Sequence, residues 1–170
     1  MKYVFFITAC LLGWAPLALA APPAEPLTKV GSCPSGYHTS GEFCRPGSSA
    51  RYAVPKVGSC ASGYYTSGAY CLASSQGAGH AIPKTGSCPS GYHTSGAYCL
   101  KGSGGSSSSS SSAMGSVPPR AVQKVGSCPS GYHTSGAYCL AGSSAKMAVP
   151  KSGSCPSGMF TSGAYCLSSR

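Results

Sequence analysis

Three observations predict an all-β fold of five small, disulfide-stapled β-hairpin repeats, joined by Gly/Ser/Pro-rich flexible linkers and without an extended core. Ten of the eleven cysteines form five pairs with one spacing, C-x10-C. Each pair lies in a motif repeated almost verbatim, first as Lys29-Val-Gly-Ser-Cys33-Pro-Ser-Gly-Tyr-His-Thr-Ser-Gly-Glu-Phe-Cys44. After the first twenty residues, glycine, serine and proline interrupt every stretch that could otherwise be helical. A unit this short cannot bury a core of its own, so the cysteine pair must carry much of its stability.

The chain opens as a secretory signal over residues 1–20. Met1-Lys2 supplies the positive start, Val4 to Leu12 is apolar, and Ala18-Leu19-Ala20 is an A-x-A cleavage pattern. Gly13 and Pro16 break a stretch already near the lower length limit for spanning a bilayer, which favours export with cleavage over an anchor. Cys10 leaves with the signal. A lipoprotein reading of Ile7-Thr8-Ala9-Cys10 fits poorly, because a long apolar run still follows it. No later segment is long and apolar enough to span a membrane, so the expected location is extracellular, periplasmic or at the cell surface. A Pro-rich tail, residues 21–28, precedes the first repeat.

Export also decides the cysteine chemistry, because an exported chain meets an oxidising environment. The local pairing available five times over is Cys33–Cys44, Cys60–Cys71, Cys88–Cys99, Cys128–Cys139 and Cys155–Cys166. Each short closed loop removes roughly 3 kcal/mol of unfolded-state freedom by the chain-entropy estimate.

The repeats are expected at residues 29–45, 56–72, 84–100, 124–140 and 151–167. In each, a short strand ending at the first cysteine leads into a Cys-Pro-Ser-Gly turn with Pro at its second position; the second copy carries Ala61 there. Two β-prone runs then flank Ser40-Gly41, read as a two-residue hairpin turn. In that register His38 faces Phe43, Tyr65 faces Tyr70, His93 faces Tyr98, His133 faces Tyr138 and Phe160 faces Tyr165, a ring pair in every copy. First cysteines are 27, 28, 40 and 27 residues apart. The long interval, residues 101–121, holds Gly-Ser sequence and seven serines, Ser106 to Ser112, which divide the array into three repeats and two. Each repeat offers little continuous apolar face for a stack, so stapled beads with partial pairwise stacking are expected.

Composition argues against an enzyme. Of twelve Lys and Arg, all but Lys2 follow the signal, against two acids, Glu25 and Glu42, and no aspartate. That leaves no Ser-His-Asp set, no well-placed carboxylate pair and no phosphate-cradling loop before a helix. No cofactor is expected. A sharper alternative is zinc or copper on the C-x4-H-x5-C triplets Cys33/His38/Cys44, Cys88/His93/Cys99 and Cys128/His133/Cys139, which requires reduced thiolates. Tyr65 and Phe160 at the matching position weaken it.

The basic residues have a regular placement. Lys29, Lys56, Lys84, Lys124 and Lys151 each stand four residues before a first cysteine, and Tyr37, Tyr64, Tyr92 and Tyr132 recur within the repeats. Cations read beside aromatics suit an anionic or carbohydrate surface, including envelope or matrix proteins, contacted multivalently by an adhesion-type protein. No element suited to sequence-specific nucleic-acid recognition occurs. A cationic peptide array cut between repeats and active against membranes is a further alternative.

Overall fold

The computed structural model describes residues 22–74, 78–101 and 120–169; the segment expected to be a signal and the serine tract lie outside the described residues. All regular structure described is strand, arranged as five three-stranded antiparallel sheets. The first contains β1 (Leu27–Thr28), β2 (Tyr37–Ser40) and β3 (Phe43–Pro46). The second contains β4 (Ala53–Pro55), β5 (Tyr64–Ser67) and β6 (Tyr70–Ala73), and the third β7 (Ala81–Pro83), β8 (Tyr92–Ser95) and β9 (Tyr98–Lys101). The fourth comprises β10 (Ala121–Gln123), β11 (Tyr132–Ser135) and β12 (Tyr138–Ala141); the fifth comprises β13 (Ala148–Pro150), β14 (Met159–Ser162) and β15 (Tyr165–Ser168). In each, the strand bearing the second cysteine is central, with the hairpin partner on one side and the linker-derived strand on the other.

The linker-derived strands β1, β4, β7, β10 and β13 contact one another in that order, and β13 returns to β1. Five blades therefore close into a ring, the plan of a β-propeller with three strands per blade. Beads on a string, and a division into three repeats and two, are corrected by this contact cycle. The repeats also begin earlier than the motif suggests, because Leu27–Thr28, Ala53–Pro55 and their counterparts belong to the blades rather than to linkers or a tail.

Hydrogen bonding explains the inner strands. Ala73 N donates to Tyr52 O and Lys56 N to Ala69 O, so residues 52, 54 and 56 pair with β6 while Ala53 and Pro55 turn their main-chain groups away from it. Proline is tolerated at Pro55, Pro83 and Pro150 because that edge needs no donor, and it guards the edge against further pairing. In the first blade the residue aligned with Ala73 is Pro46, which has no N–H to give, and β1 is correspondingly one residue shorter.

Both turns differ from expectation by one position. The register pairs Ser40 with Phe43 and Thr39 with Cys44, so the hairpin turns on Gly41-Glu42. Gly41, with φ of 58°, takes the first central position, where a type II′ turn requires glycine. His38 consequently faces Arg45, and Tyr65, His93, His133 and Phe160 face Leu72, Leu100, Leu140 and Leu167. The expected cross-hairpin ring pairs do not form. In the earlier turn Tyr37 N donates to Pro34 O, which places Pro at the first position and Gly36, φ 84°, at the third. Ala61 serves equally well there, since only its carbonyl is used. The first cysteines lie in loops beyond the inner strands, not at strand ends.

All five predicted disulfides are present. Their second cysteines are fully buried, four of them (Cys44, Cys71, Cys99 and Cys166) in the inter-blade clusters and Cys139 against the Tyr165 hydroxyl of the next blade, so each bridge is also a core side chain. Beside each, the preceding residue stitches its blade to the one before. Tyr70 OH accepts from Val30 N at 2.6 Å and donates to Thr28 O at 3.1 Å. Tyr98 does the same with Val57 N and Pro55 O, Tyr138 with Thr85 N and Pro83 O, and Tyr165 with Val125 N and Gln123 O. The seam between the fifth blade and the first departs from the pattern. Phe43 replaces the tyrosine there and packs on Val149 and Cys166 without a hydroxyl. At the seam that joins the ends of the array, packing of the Phe43 ring thus takes the place of the tyrosine stitch.

Candidate functional site

The inner strands surround a cavity of about 290 Å³, lined by all five blades. Its wall is chiefly Pro, Ala, Val, Ile and Leu, and the two ends differ sharply in chemistry.

At one end, the residue four positions before each repeat lysine occupies an equivalent place in every blade. These residues are Glu25, Tyr52, His80, Arg120 and Met147, different in all five. Glu25 is buried and forms an ion pair with Arg120, although its Oε1 has no hydrogen bond. Burial raises the Glu25 pKa from 4.5 to about 7, against the opposing pull of Arg120. His80 is buried with a tyrosine hydroxyl on each ring nitrogen, Tyr52 on Nε2 at 2.8 Å and Tyr92 on Nδ1 at 3.0 Å. Tyr52 OH also donates to Ala81 O at 3.0 Å. Burial, assisted by the charges of Arg120 and Lys101, lowers the His80 pKa from 6.5 to about 3, so the imidazole is neutral.

The predicted tyrosines stand at this same end and are engaged in holding it together. Tyr37 OH donates to Arg51 O, Tyr64 OH to Gly79 O and Tyr132 OH to Lys146 O, while Tyr92 meets His80. Burial pushes all four phenols upward, Tyr132 to about 12. Nearby cations are also in use: Arg51 donates to Ser74 O at 2.8 Å and Lys146 to Ser169 O at 3.0 Å. This end is a buried polar plug, its tyrosine hydroxyls and His80 ring nitrogens hydrogen-bonded and its Glu25 carboxylate held by the Arg120 ion pair.

Stability should therefore depend on pH in two opposed ways. The His80 contribution is lost as pH falls from 6.5 toward 3, because the unfolded chain takes up a proton that the folded ring refuses. Glu25 holds its proton more tightly when folded, so its contribution is full below 4.5 and lost as pH rises through about 7. The two oppose one another between 4.5 and 6.5, and below 4.5 His80 acts alone. The melting temperature is expected to fall between pH 4.5 and 3, and to fall less in His80→Gln. Equal falls in both proteins would contradict the buried-imidazole account.

The opposite end carries the five predicted lysines. Lys29 N donates to Glu42 O, and Lys56, Lys84, Lys124 and Lys151 bond the matching turn residues, so every lysine stands where its inner strand leaves the ring, beside a hairpin turn. All five are exposed. Among the described residues, none of their ammonium groups has a hydrogen bond or an ion pair. The cavity reaches this end at Thr28, Pro55, Pro83, Gln123 and Pro150, the residues just before the lysines. The structure thus brings the five lysines together and separates them from Tyr37, Tyr64, Tyr92 and Tyr132, which lie at the other end. The sequence offered one signal of the polar plug that motif reading passes over: the position four residues before each lysine is the phase at which otherwise near-identical copies carry five different side chains.

The cysteines of the Cys-x4-His-x5-Cys triplets are bridged, and His38, His93 and His133 are exposed on outer strands, so the thiolates a metal would need are not on offer. No group of three His, Cys, Asp or Glu side chains suited to a metal occurs among the described residues. No protein-family model, curated protein or solved structure matches the chain.

Proposed function

We propose that this is an exported, non-enzymatic binding protein that contacts an anionic surface through the face bearing Lys29, Lys56, Lys84, Lys124 and Lys151. The observation that carries this reading is the fivefold repetition of an unengaged cation on one side of a closed ring. Equivalent positions in five blades share a plane, so a flat acidic surface can meet all five at once. Individual exposed charges contribute little, but several presented together multiply into useful avidity. The aromatic residues that would favour a sugar lie at the other end with their hydroxyls occupied, which weights the reading toward charge rather than carbohydrate. The five disulfides suit an oxidising or extracellular setting, and no helix among the described residues is long and apolar enough to cross a membrane.

The test is retention of the disulfide-intact protein on an immobilised soluble-type polyanion such as heparin. Stepwise Lys→Gln replacement at the five positions is expected to lower the eluting salt concentration with each change, and the complete variant should lose retention. Unchanged elution after all five replacements would dismiss the reading.

A further inference from the structure

The lysine face is not purely polar. Of the five exposed large apolar side chains among the described residues, three are Val30, Val57 and Val125, at 49%, 46% and 48% exposure. Each directly follows a ring lysine, and each is fixed by the tyrosine hydroxyl of the next blade on its backbone N–H, at 2.6, 2.7 and 2.6 Å. In three of its five blades the face therefore presents a cation followed by an aliphatic side chain on a hydrogen-bonded backbone, at the level of the cavity mouth. The one acid at this end among the described residues is Glu42, beside Gly153 at the closing seam.

From this combination, and resting on the anionic-surface reading above, we infer that the surface is a lipid bilayer containing anionic headgroups. A soluble polyanion calls for cations and gains nothing from aliphatic side chains held in solvent. A bilayer uses both: lysines are drawn to the negative surface, and shallow apolar groups enter the boundary between headgroups and acyl chains. Coplanarity matters more here than for a flexible polymer, since a bilayer cannot wrap around scattered charges. The valines are also dispensable to the fold. Thr85 and Ser152 occupy the same position in the third and fifth blades, and Thr85 N still receives its tyrosine, Tyr138, at 2.6 Å.

The experiment compares sedimentation of the disulfide-intact protein with phosphatidylcholine vesicles, with vesicles containing phosphatidylglycerol, and its affinity for soluble heparin. Three proteins are used: the native sequence, the triple variant Val30→Ser/Val57→Ser/Val125→Ser, and the variant with all five lysines replaced by Gln. Native protein should sediment with the anionic vesicles and not with phosphatidylcholine alone. The serine variant should bind anionic vesicles at least about tenfold more weakly, as expected for three lost aliphatic contacts, with heparin affinity unchanged. Equal vesicle binding by the native and serine proteins would overturn the bilayer inference. So would heparin binding with no vesicle binding, which leaves the anionic-surface reading standing with a soluble or matrix polyanion as partner. Loss of neither activity in the Gln variant would instead overturn the reading on which the inference rests.

Discussion

Reduction of the five disulfides under native conditions is expected to unfold the ring completely rather than loosen single blades. Each bridge spans a sequence separation of 11 residues. By the chain-entropy estimate each contributes roughly 3 kcal/mol, and five together on the order of 15 kcal/mol. That matches or exceeds the whole net stability of an ordinary domain, about 5–15 kcal/mol. The loss goes beyond entropy here, because Cys44, Cys71, Cys99, Cys139 and Cys166 are fully buried between blades. Freeing the thiols removes the anchor that holds each loop cysteine against that seam. Far-ultraviolet circular dichroism before and after reduction, with alkylation to trap the thiols, gives the readout. Retention of native strand signal by the fully alkylated chain would refute the assignment of stability to the bridges.

The second large effect is expected at Tyr98. Its ring is fully buried, and its hydroxyl takes Val57 N at 2.7 Å and gives to Pro55 O at 3.1 Å across the seam between the second and third blades. Tyr98→Ala should cost ~3–5 kcal/mol through the cavity left behind, enough to threaten the fold of a small ring. Tyr98→Phe keeps the packing but leaves both main-chain groups without their partner, at a cost of ~1–3 kcal/mol. Phe43 shows that a phenylalanine fits geometrically at this place in a blade. Denaturant unfolding of the two variants separates the packing from the hydrogen bonds. Equal midpoints for native and Tyr98→Phe would show that the stitch contributes nothing.

Much of a single blade was legible in the sequence, while the assembly was not. The invariant C-x10-C spacing specified the bridges, and the Gly-Ser-Pro content specified strands and turns. The hairpin register was ambiguous because Ser-Gly and Gly-X are both acceptable two-residue turns. Choosing Gly41 as second rather than first central residue moves His38 from Arg45 to Phe43. Burial of Phe43 resolves the choice only when the neighbouring blade is present, since the Val149 and Cys166 side chains it packs with belong to another repeat. Closure was hidden for a related reason. One repeat contributes only a Val or Ile, a Tyr, a Leu and small alanines, too little to suggest a stacking face. The disulfides complete that face as buried apolar groups, and tyrosine hydroxyls satisfy the backbone across it. Glu25 and His80 were masked by their setting in segments that read as tail and linker, yet both segments supply inner-strand ends.

Of the proposed binding face, the five lysines were visible as a repeated residue, but their assembly on one side depends on the ring. The tyrosines were grouped with them by proximity in sequence. Three-residue inner strands carry the chain from one end of the ring to the other within that interval, so the two sets part company.

The central claim is that the array closes, with its last repeat against its first. A nuclear Overhauser measurement between the Phe43 ring and the Val149 methyl groups, in the disulfide-intact chain, tests it most directly. The closed ring places both in one buried cluster with Cys166 and predicts strong cross-peaks. Their absence, with each blade's internal β1–β3 type cross-peaks intact, would mean folded blades on an open string, and the shared lysine plane would go with it.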